Sequence, residues 1–354
     1  MLRFEPRPTP SLWWTYASPV LALALTVVVG VILFAWLGKD PVAGLRVFFW
    51  EPIRTPRGWS ELMLKATPLL IIGLGLAICF RSNVWNIGAE GQFVLGAIAA
   101  TWVALYAPVS LGALTVPMVL LAGMLGGFAW AAITALLRDR FNANEILVSL
   151  MLVYVSFQLL NYFVFGPWRD PMGFGMPSTK PFPPDARMPL LFEGYRVNIG
   201  LVIGLVVVVL LTLFIFRTRA GFAQQVGGLA PAAARYAGFS SRRALWTALG
   251  ISGALAGLAG ALEVAGPVGR LTEHIPLGYG FAAIIVAFVG RLHPIGIAFS
   301  ALLMSMFFLG GELAQSRLGL PKSITGVFQG LLLFCLLACD TLVHYRIMWR
   351  RNKG

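Results

Sequence analysis

The sequence predicts an all-α polytopic membrane protein, and two observations lead to this prediction. The 354-residue chain is 58% hydrophobic and only 12% charged, whereas soluble domains carry about 25% charged residues. Apolar runs of about 20 residues recur along the whole length, and each is long enough to cross a hydrocarbon core of roughly 30 Å. We therefore expect one transmembrane domain over residues 1–354.

About ten transmembrane helices are expected from these runs, of which the eighth is short and rich in small residues. They cover about 17–37, 62–80, 87–106, 112–137, 144–165, 199–217, 244–265, 279–290, 295–311 and 324–343. The first run is longer than the roughly 7–15 apolar residues of a signal peptide and lacks a convincing cleavage site, so it is read as a retained helix.

Basic residues predict the orientation of these spans. More than half of the 27 Lys and Arg residues fall in the segments that are cytoplasmic if the N-terminus is cytoplasmic, whereas the short connection 107–111 on the other side has none. Lys and Arg collect on the cytoplasmic side of membrane proteins. The prediction is a multi-pass protein of a bacterial-type plasma membrane, surrounded by lipid, with both termini in the cytoplasm.

The net charge of +13 does not indicate a nucleic-acid partner, because the basic residues lie between apolar runs and at the C-terminus rather than on a soluble domain with interleaved aromatics. The three cysteines all lie in hydrophobic stretches. Cys335 and Cys339 share a helical face, but without further ligands such a pair is a packing feature more often than a metal site. The sequence therefore predicts no metal site and no cofactor in this chain.

A polar island interrupts the apolar pattern between Arg81 and Phe93. Asn86, Glu90 and Gln92 fall where the surrounding pattern indicates membrane, and such polar groups normally face a cavity or a partner rather than lipid. One interpretation places them beside a translocation path or gate at a broken helix start. The alternative is structural, with the amides bridging helices and Glu90 pairing with an arginine such as Arg81.

The basic connection at 217–243 contains a predicted short helix. Pro231 is followed by three alanines, and proline favours the first helical position, while Gly238 can end the helix in a left-handed cap. A helix this short is marginal alone, so we interpret it as an element that docks into a groove of another protein; a plain connector is the alternative. The residues assigned to docking are Pro231, Ala233, Arg235, Tyr236 and Gly238.

Two further segments have distinctive compositions. The predicted external loop at 166–198 contains seven prolines, which exclude a regular helix and favour a stiff cap; it is either a connector or part of a surface for an external protein. The run from Gly250 to Gly260 spaces small residues three and four apart, which predicts close helix contact.

Several of these motifs resemble one known family. Asn-Ile-Gly-Ala-Glu-Gly-Gln at 86–92, the stretch around 231–238 and the Gly-Arg-Leu-His-Pro-Ile-Gly turn at 290–296 resemble permease subunits in the nucleoside branch of ATP-binding-cassette (ABC) importers, which belong with ribose-type and branched-chain amino-acid permeases. In that family the loop corresponding to 231–238 forms the coupling helix on the ATP-hydrolysing subunit. This chain has Gly-Leu-Ala-Pro where Gly-Asn-Pro is common.

The resemblance implies a type II-like permease architecture and a transport subunit rather than an enzyme. It also implies several partners: a cytoplasmic ABC ATPase that binds the ATP, a second permease subunit of a different chain, and an external solute-binding protein. The chain has no G-x-x-x-x-G-K-[ST] loop, so no ATP site of that kind is expected here. Nucleosides are the predicted solute, with simple sugars also open.

Two other functions are weighed against this one. A self-sufficient secondary transporter of a small polar solute such as a sugar would show inverted repeats, and only a weak echo exists between 73–98 and 280–305. A membrane-embedded enzyme would need convergent catalytic groups. The three histidines are scattered at span ends instead: His274, His293 and His344.

Overall fold

The chain is almost entirely helical in a computed structural model, which describes residues 2–6, 12–108, 112, 114–173, 175–321 and 323–349. The α-helices are α1 (Leu12–Trp36), α2 (Pro41–Leu45), α3 (Glu51–Arg54), α4 (Pro56–Arg81), α5 (Ala89–Tyr106), α6 (Thr115–Phe141), α7 (Glu145–Phe165), α8 (Gly200–Arg217), α9 (Arg219–Leu229), α10 (Pro231–Tyr236), α11 (Ser241–Glu263), α12 (Tyr279–Val289), α13 (Pro294–Leu318) and α14 (Ile324–His344). Two short strands, β1 (Leu2–Pro6) and β2 (Tyr345–Trp349), pair antiparallel.

Nine of the helices within the described residues are long and apolar enough to cross a membrane, and α12 is a shorter apolar helix of 11 residues. The predicted all-α polytopic fold is therefore confirmed. The eighth predicted span is a helix, but with 11 residues α12 is shorter than the nine described helices that could cross a membrane. Polar caps separate neighbouring spans: the Asn144 side chain accepts from the amides of Ile146 and Leu147 at the start of α7, while Asn142 ends α6 with a left-handed φ of 50°.

The stretch 38–61, between the first two predicted spans, is more helical than the apolar runs indicate. This stretch contains α2, a π-helical turn at Arg46–Trp50 and α3, and α4 already begins at Pro56. Asp40 caps α2 by accepting from the Val42 amide at 3.0 Å. Helices of four or five residues leave no hydrophobic period to detect, so the apolar-run criterion misses them.

The chain divides into two compact units. One comprises Met1–Trp59 and Met306–Gly354, and the other comprises Ser60–Ser305. The first has an aromatic core in which Phe48 stacks on Phe328, with ring centroids 4.5 Å apart, and Phe34 and Phe307 pack around them.

The second unit is built around the close contact of α5, α6 and α11. Backbones approach so closely that a Cβ atom on Gly257 would overlap the backbone of α6, and one on Gly260 would overlap the Phe93 carbonyl on α5. The predicted small-residue face of α11 is thus confirmed. It fixes α11 beside α5, and this contact positions the polar residues described below.

The proline-rich loop (166–198) is folded onto the second unit. Its described residues contain one 3₁₀ turn, Pro184–Ala186, and no α-helix. The amides of Phe182 and Met188 donate to the carbonyls of Gly269 and Ala265, at 2.8 and 2.9 Å. Phe182 is buried among these contacts, so the loop is held rigidly over the segment that follows α11.

Candidate functional site

Asn86 lies at the centre of a buried amide network. Its Oδ1 accepts from the Gly88 amide and from Gln92 Nε2, both at 3.1 Å. Its Nδ2 donates to Gln92 Oε1 at 2.9 Å and to Ser252 Oγ at 3.0 Å. Four hydrogen bonds satisfy the side chain of a fully buried residue. The network ties the segment before α5 to both α5 and α11.

Glu90 faces a different part of the unit, although it lies in the same first turn of α5 as Gln92. Its carboxylate is fully buried and accepts from the backbone amides of Gly278 at 2.9 Å and Gly280 at 2.5 Å. These amides open α12, so the carboxyl group of Glu90 caps a second helix besides its own. The alternative ion pair with Arg81 is wrong, because the structure gives the carboxylate these backbone partners instead.

The starts of α5 and α12 pack directly against each other. With 11 residues, α12 is about 16 Å long and covers only about half of a hydrocarbon core. Its far end lies beside the end of α4, where Arg81 Nε donates to the Leu292 carbonyl at 2.9 Å. At its start, a Cβ on Gly280 would overlap the backbone of Glu90. The N-termini of the full-length helix α5 and the short helix α12 therefore converge at Glu90.

The segment before α5 supplies the rest of this geometry. Residues 84–87 have no helical structure, with Val84 and Asn86 buried and Trp85 exposed. The chain thus continues after α4 through a non-helical segment and restarts as a helix at Ala89. We name Asn86, Glu90, Gln92 and Ser252 the polar cluster. Each of these side chains exposes at most 1% of its surface, so the cluster is closed in this conformation.

The predicted short helix in the connection 217–243 forms as α10. Gly238 has a φ of 81°, its amide donates to the Arg235 carbonyl at 3.0 Å, and the Phe239 amide donates to the Ala234 carbonyl at 2.9 Å. These two bonds form a Schellman cap. Ala234 is buried at 3% exposure, whereas Tyr236 is 97% exposed. The remaining residues assigned to docking, Pro231, Ala233 and Arg235, are also exposed.

Helix α9, which lies between α8 and α10, was not predicted from the sequence. Gln224 on α9 is buried, and its side-chain carbonyl hydrogen-bonds the Ser82 hydroxyl while its Nε2 donates to the Ala244 carbonyl at 3.1 Å. Gly228 packs directly against the Arg81 carbonyl. The signal available in the sequence was the glutamine pair at 224–225 inside an apolar, glycine-bearing stretch. We name residues 217–243 the coupling segment, after the role that the resemblance implies for part of it, and residues 81–84 the α4 turn.

Ion pairs fasten the ends of α6, α7 and α11 around the same turn. Asp139 accepts from Arg242 Nε at 2.7 Å and from Trp246 Nε1 at 3.1 Å. Glu145, which is buried, pairs with Arg138. A cavity of about 340 Å³ opens between these groups and is lined by, among others, Asn83, Asp139, Pro231 and Arg242. The start of α10 and the α4 turn therefore share one cavity.

Metal chemistry finds no support in the parts of the chain that the structure describes. They contain no group of three or more His, Cys, Asp or Glu residues that could hold a metal ion. Cys335 and Cys339 on α14 are both buried and free.

Comparison with known proteins identifies the family. The sequence profile of the family described as "Branched-chain amino acid transport system / permease component" matches residues 58–337. A glucose ABC transporter permease protein of Haloferax volcanii is 33% identical over 98% of this chain and 93% of its own length. A nucleoside ABC transporter permease protein of Lactococcus lactis is 28% identical over 89% of each chain. A guanosine ABC transporter permease protein of Bacillus subtilis is 28% identical over 95% of this chain and 97% of its own length.

The match decides between the functions left open by the sequence. It covers the polar cluster, the coupling segment and the turn at 290–296, and it favours a transporter subunit over a self-sufficient secondary transporter or an enzyme. Permeases of this kind carry no ATPase activity of their own, which lies in partner subunits. The chain belongs to the branched-chain amino acid transport system permease component family and is a multi-pass, membrane-spanning permease subunit of an ABC importer.

Proposed function

We propose that this permease imports nucleosides by alternating access, and that the coupling segment transmits the closure of partner ATPases to the polar cluster. The observation that carries the proposal is an unbroken series of contacts. From α10 it runs through α9 to the α4 turn by way of Gln224 and Ser82, then through Asn86 to Gln92 and Ser252. Glu90 extends it to the start of α12.

Each half of the cycle needs a different arrangement of this series. ATP binding closes the ATPase pair, the closure displaces α10, and the displacement changes how the starts of α5 and α12 meet. ATP and solute can drive such a cycle only by binding the two conformations with different affinities. The closed and fully hydrogen-bonded polar cluster described above serves as the shut state of the path in this proposal.

An exposed, cationic and aromatic surface on the coupling segment supports docking of a cytoplasmic ABC ATPase. Tyr236 is 97% and Leu229 is 79% exposed, and Arg235 lies beside Tyr236. Tyr and Arg are enriched among the residues that dominate binding at protein interfaces. ATP itself is held by the ATPase, and this chain contributes no cofactor site.

The proline-rich loop is proposed as part of the docking surface for an external solute-binding protein. Its backbone is fixed to the second unit, yet Met172 is 83%, Met176 is 71% and Phe192 is 65% exposed. A rigid surface that exposes large apolar side chains is favourable for binding, because little conformational entropy is lost on association.

The sheet of β1 with β2 supports the proposal that both termini lie on one side of the membrane. The distribution of basic residues indicates that this side is the cytoplasmic side of a bacterial-type plasma membrane.

The assignment of nucleosides rests on the motif at 86–92 and on relatives described as nucleoside and guanosine permeases. A relative described as a glucose permease makes a simple sugar the second candidate. We further propose that the second permease subunit of the complex is a different chain.

Reconstitution of the complete transporter tests the proposal. The purified chain alone is expected to neither bind nor hydrolyse ATP. Proteoliposomes that contain the partner ATPase and the second permease, with the solute-binding protein added, are expected to take up tritiated guanosine. Uptake is expected only when ATP is present on the side of the membrane where the ATPase lies. Uptake of radiolabelled glucose instead of guanosine would identify a sugar rather than a nucleoside as the substrate. Saturable ATPase activity of the pure chain would refute the subunit assignment itself.

A further inference from the structure

The turn between α12 and α13 adopts a conformation that its residues disfavour. Arg291 and Leu292 are successive residues with φ angles of 57° and 55°. Left-handed backbone is rare for residues other than glycine, asparagine and aspartate, and a bulky residue there requires support from its surroundings. The turn is also compact, because the backbones of Gly290 and Gly296 are in direct contact.

Arg81 at the end of α4 supports this turn from the side. Its Nε donates to the Leu292 carbonyl at 2.9 Å, across 211 positions of sequence. The guanidinium carbon lies 5.3 Å from the ring centroid of Phe216 on α8, within the range of a cation–π contact. The Phe216 ring in turn lies 5.3 Å from the ring of His293, centroid to centroid. The guanidinium therefore contacts the turn directly at Leu292 and indirectly through Phe216, whose ring faces His293.

The backbone of Arg81 contacts the coupling segment. Gly228 of α9 packs against the Arg81 carbonyl, and the neighbouring Ser82 hydrogen-bonds Gln224. Arg81 thus touches α9 with its main chain and the α12–α13 turn with its side chain. The opposite end of α12 is held by Glu90 through the amides of Gly278 and Gly280.

We propose that Arg81 is a positioning residue for transport, which transmits displacement of the coupling segment to the half-helix α12. This inference rests on the proposed coupling role of residues 217–243 and adds the residue through which the force reaches α12. A shift of α9 moves the end of α4, and the guanidinium draws the Leu292 carbonyl with it. The strained turn absorbs the change in backbone angles, while α12 moves as a rigid unit relative to Glu90.

The test uses the complete transporter in proteoliposomes and measures guanosine uptake per ATP hydrolysed. Arg81→Gln removes the cationic donor and is expected to lower this ratio by about tenfold, within the usual range of coupling between sites, while basal ATP hydrolysis persists. Arg81→Lys keeps a cationic donor and is expected to restore part of the ratio. Arg317→Gln is the matched control, because Arg317 also ends a membrane helix and pairs at 3.2 Å with Glu51.

A merely structural role of Arg81 would lower abundance and thermal stability without changing the ratio, and that outcome overturns the proposal. An unchanged ratio in stable Arg81→Gln does the same. If Arg81→Gln fails to insert into the membrane, Gly228→Ala tests the proposal in its place, because its methyl group would push α9 away from the Arg81 carbonyl. An unchanged ratio of uptake to ATP hydrolysis in Gly228→Ala overturns the proposal.

The proposed function is tested separately by Ala233→Asp on the coupling segment. Loss of ATPase binding in Ala233→Asp together with an unchanged ratio in Arg81→Gln overturns the role of Arg81 alone. Normal ATPase binding in Ala233→Asp refutes the coupling segment itself.

Discussion

The polar cluster and the coupling segment violate the usual distribution of side chains in opposite ways. In the polar cluster, amides and a carboxylate are fully buried, and every one of them has a hydrogen-bond partner within the chain. In the coupling segment, large apolar side chains such as Leu229 and Tyr236 are exposed beyond three quarters of their surface. A buried polar group and an exposed large apolar patch are each more informative than a buried apolar or an exposed polar side chain.

The difference between these regions lies in what completes them. The polar cluster is complete within this chain, and its hydrogen bonds join elements that are far apart in sequence. The coupling segment leaves Tyr236 almost fully exposed, and under the proposed function an ATPase subunit covers it in the assembled transporter. Substitutions are therefore expected to affect stability in the first region and assembly in the second.

The largest expected effect is on assembly, from Ala233→Asp in α10. Ala233 is exposed in the isolated chain, so membrane abundance is expected to stay normal. Burying an unpaired carboxylate against the ATPase costs on the order of several kcal/mol, and association is expected to weaken by roughly a hundredfold or more. Co-purification of the ATPase, ligand-stimulated ATP hydrolysis and uptake should fall together.

Neighbouring positions provide matched controls for this variant. Ala233→Ser adds a small neutral hydroxyl and is expected to keep most of the association. Ala234→Asp places the charge at a buried position and is expected to unfold α10 in the isolated chain. If Ala233→Asp assembles and couples normally at normal abundance, the segment is only a connector.

A smaller effect, mainly on stability and transport, is expected from Glu90→Ala. The substitution leaves the amides of Gly278 and Gly280 unpaired, at a cost of about 1–3 kcal/mol for each buried donor. Insertion should persist because the hydropathy of the spans decides it. We expect a lower thermal unfolding temperature in detergent and a larger loss of guanosine uptake than of membrane abundance.

Glu61→Gln is the control for the loss of a carboxylate, because Glu61 pairs at 3.2 Å with the exposed Arg196 and such surface pairs contribute roughly 0–1 kcal/mol. Glu90→Gln retains an acceptor oxygen, so its unfolding temperature and its guanosine uptake should lie between those of Glu90→Ala and those of the native chain. Loss of membrane abundance without a separate loss of uptake would reduce Glu90 to a structural cap.

The sequence predicted the helices of these regions better than it predicted their long-range contacts. Long apolar runs gave nearly all of the spans, and proline before alanines with Gly238 behind them gave α10, because both signals are local. The partners of Glu90 were unpredictable for the opposite reason, since Gly278 lies 188 positions away. No local rule identifies which distant amide will reach a buried carboxylate, and the nearby Arg81 was therefore the natural but wrong alternative.

Helix α9 shows a second limit of sequence reasoning. Its sequence, Arg-Ala-Gly-Phe-Ala-Gln-Gln-Val-Gly-Gly-Leu, contains three glycines and no sustained apolar period, and glycine disfavours helix by about 1 kcal/mol per residue. Tertiary contacts override this preference: Gly221 and Gly228 let α9 pack directly on backbone atoms of α8 and the α4 turn. Apart from the glutamine pair at 224–225, the signal for α9 thus lies in its packing partners rather than in its own residues.

The smallest expected effect, and the one that isolates backbone conformation, comes from two glycines of the coupling segment. A methyl group at either Gly227 or Gly238 would meet no other atom within 4 Å, but only Gly238 has a positive φ, of 81°. Gly238→Ala should cost roughly 1–2 kcal/mol of local stability and weaken ATPase association by about 5–30-fold. Gly227→Ala, within α9, should instead stabilise its helix by roughly 0.5–1 kcal/mol. Hydrogen exchange of the amides at 234–239 measures the local stability, and co-purification of the ATPase measures the association. Equal effects of the two substitutions would show that the left-handed cap does not define the docking conformation of α10.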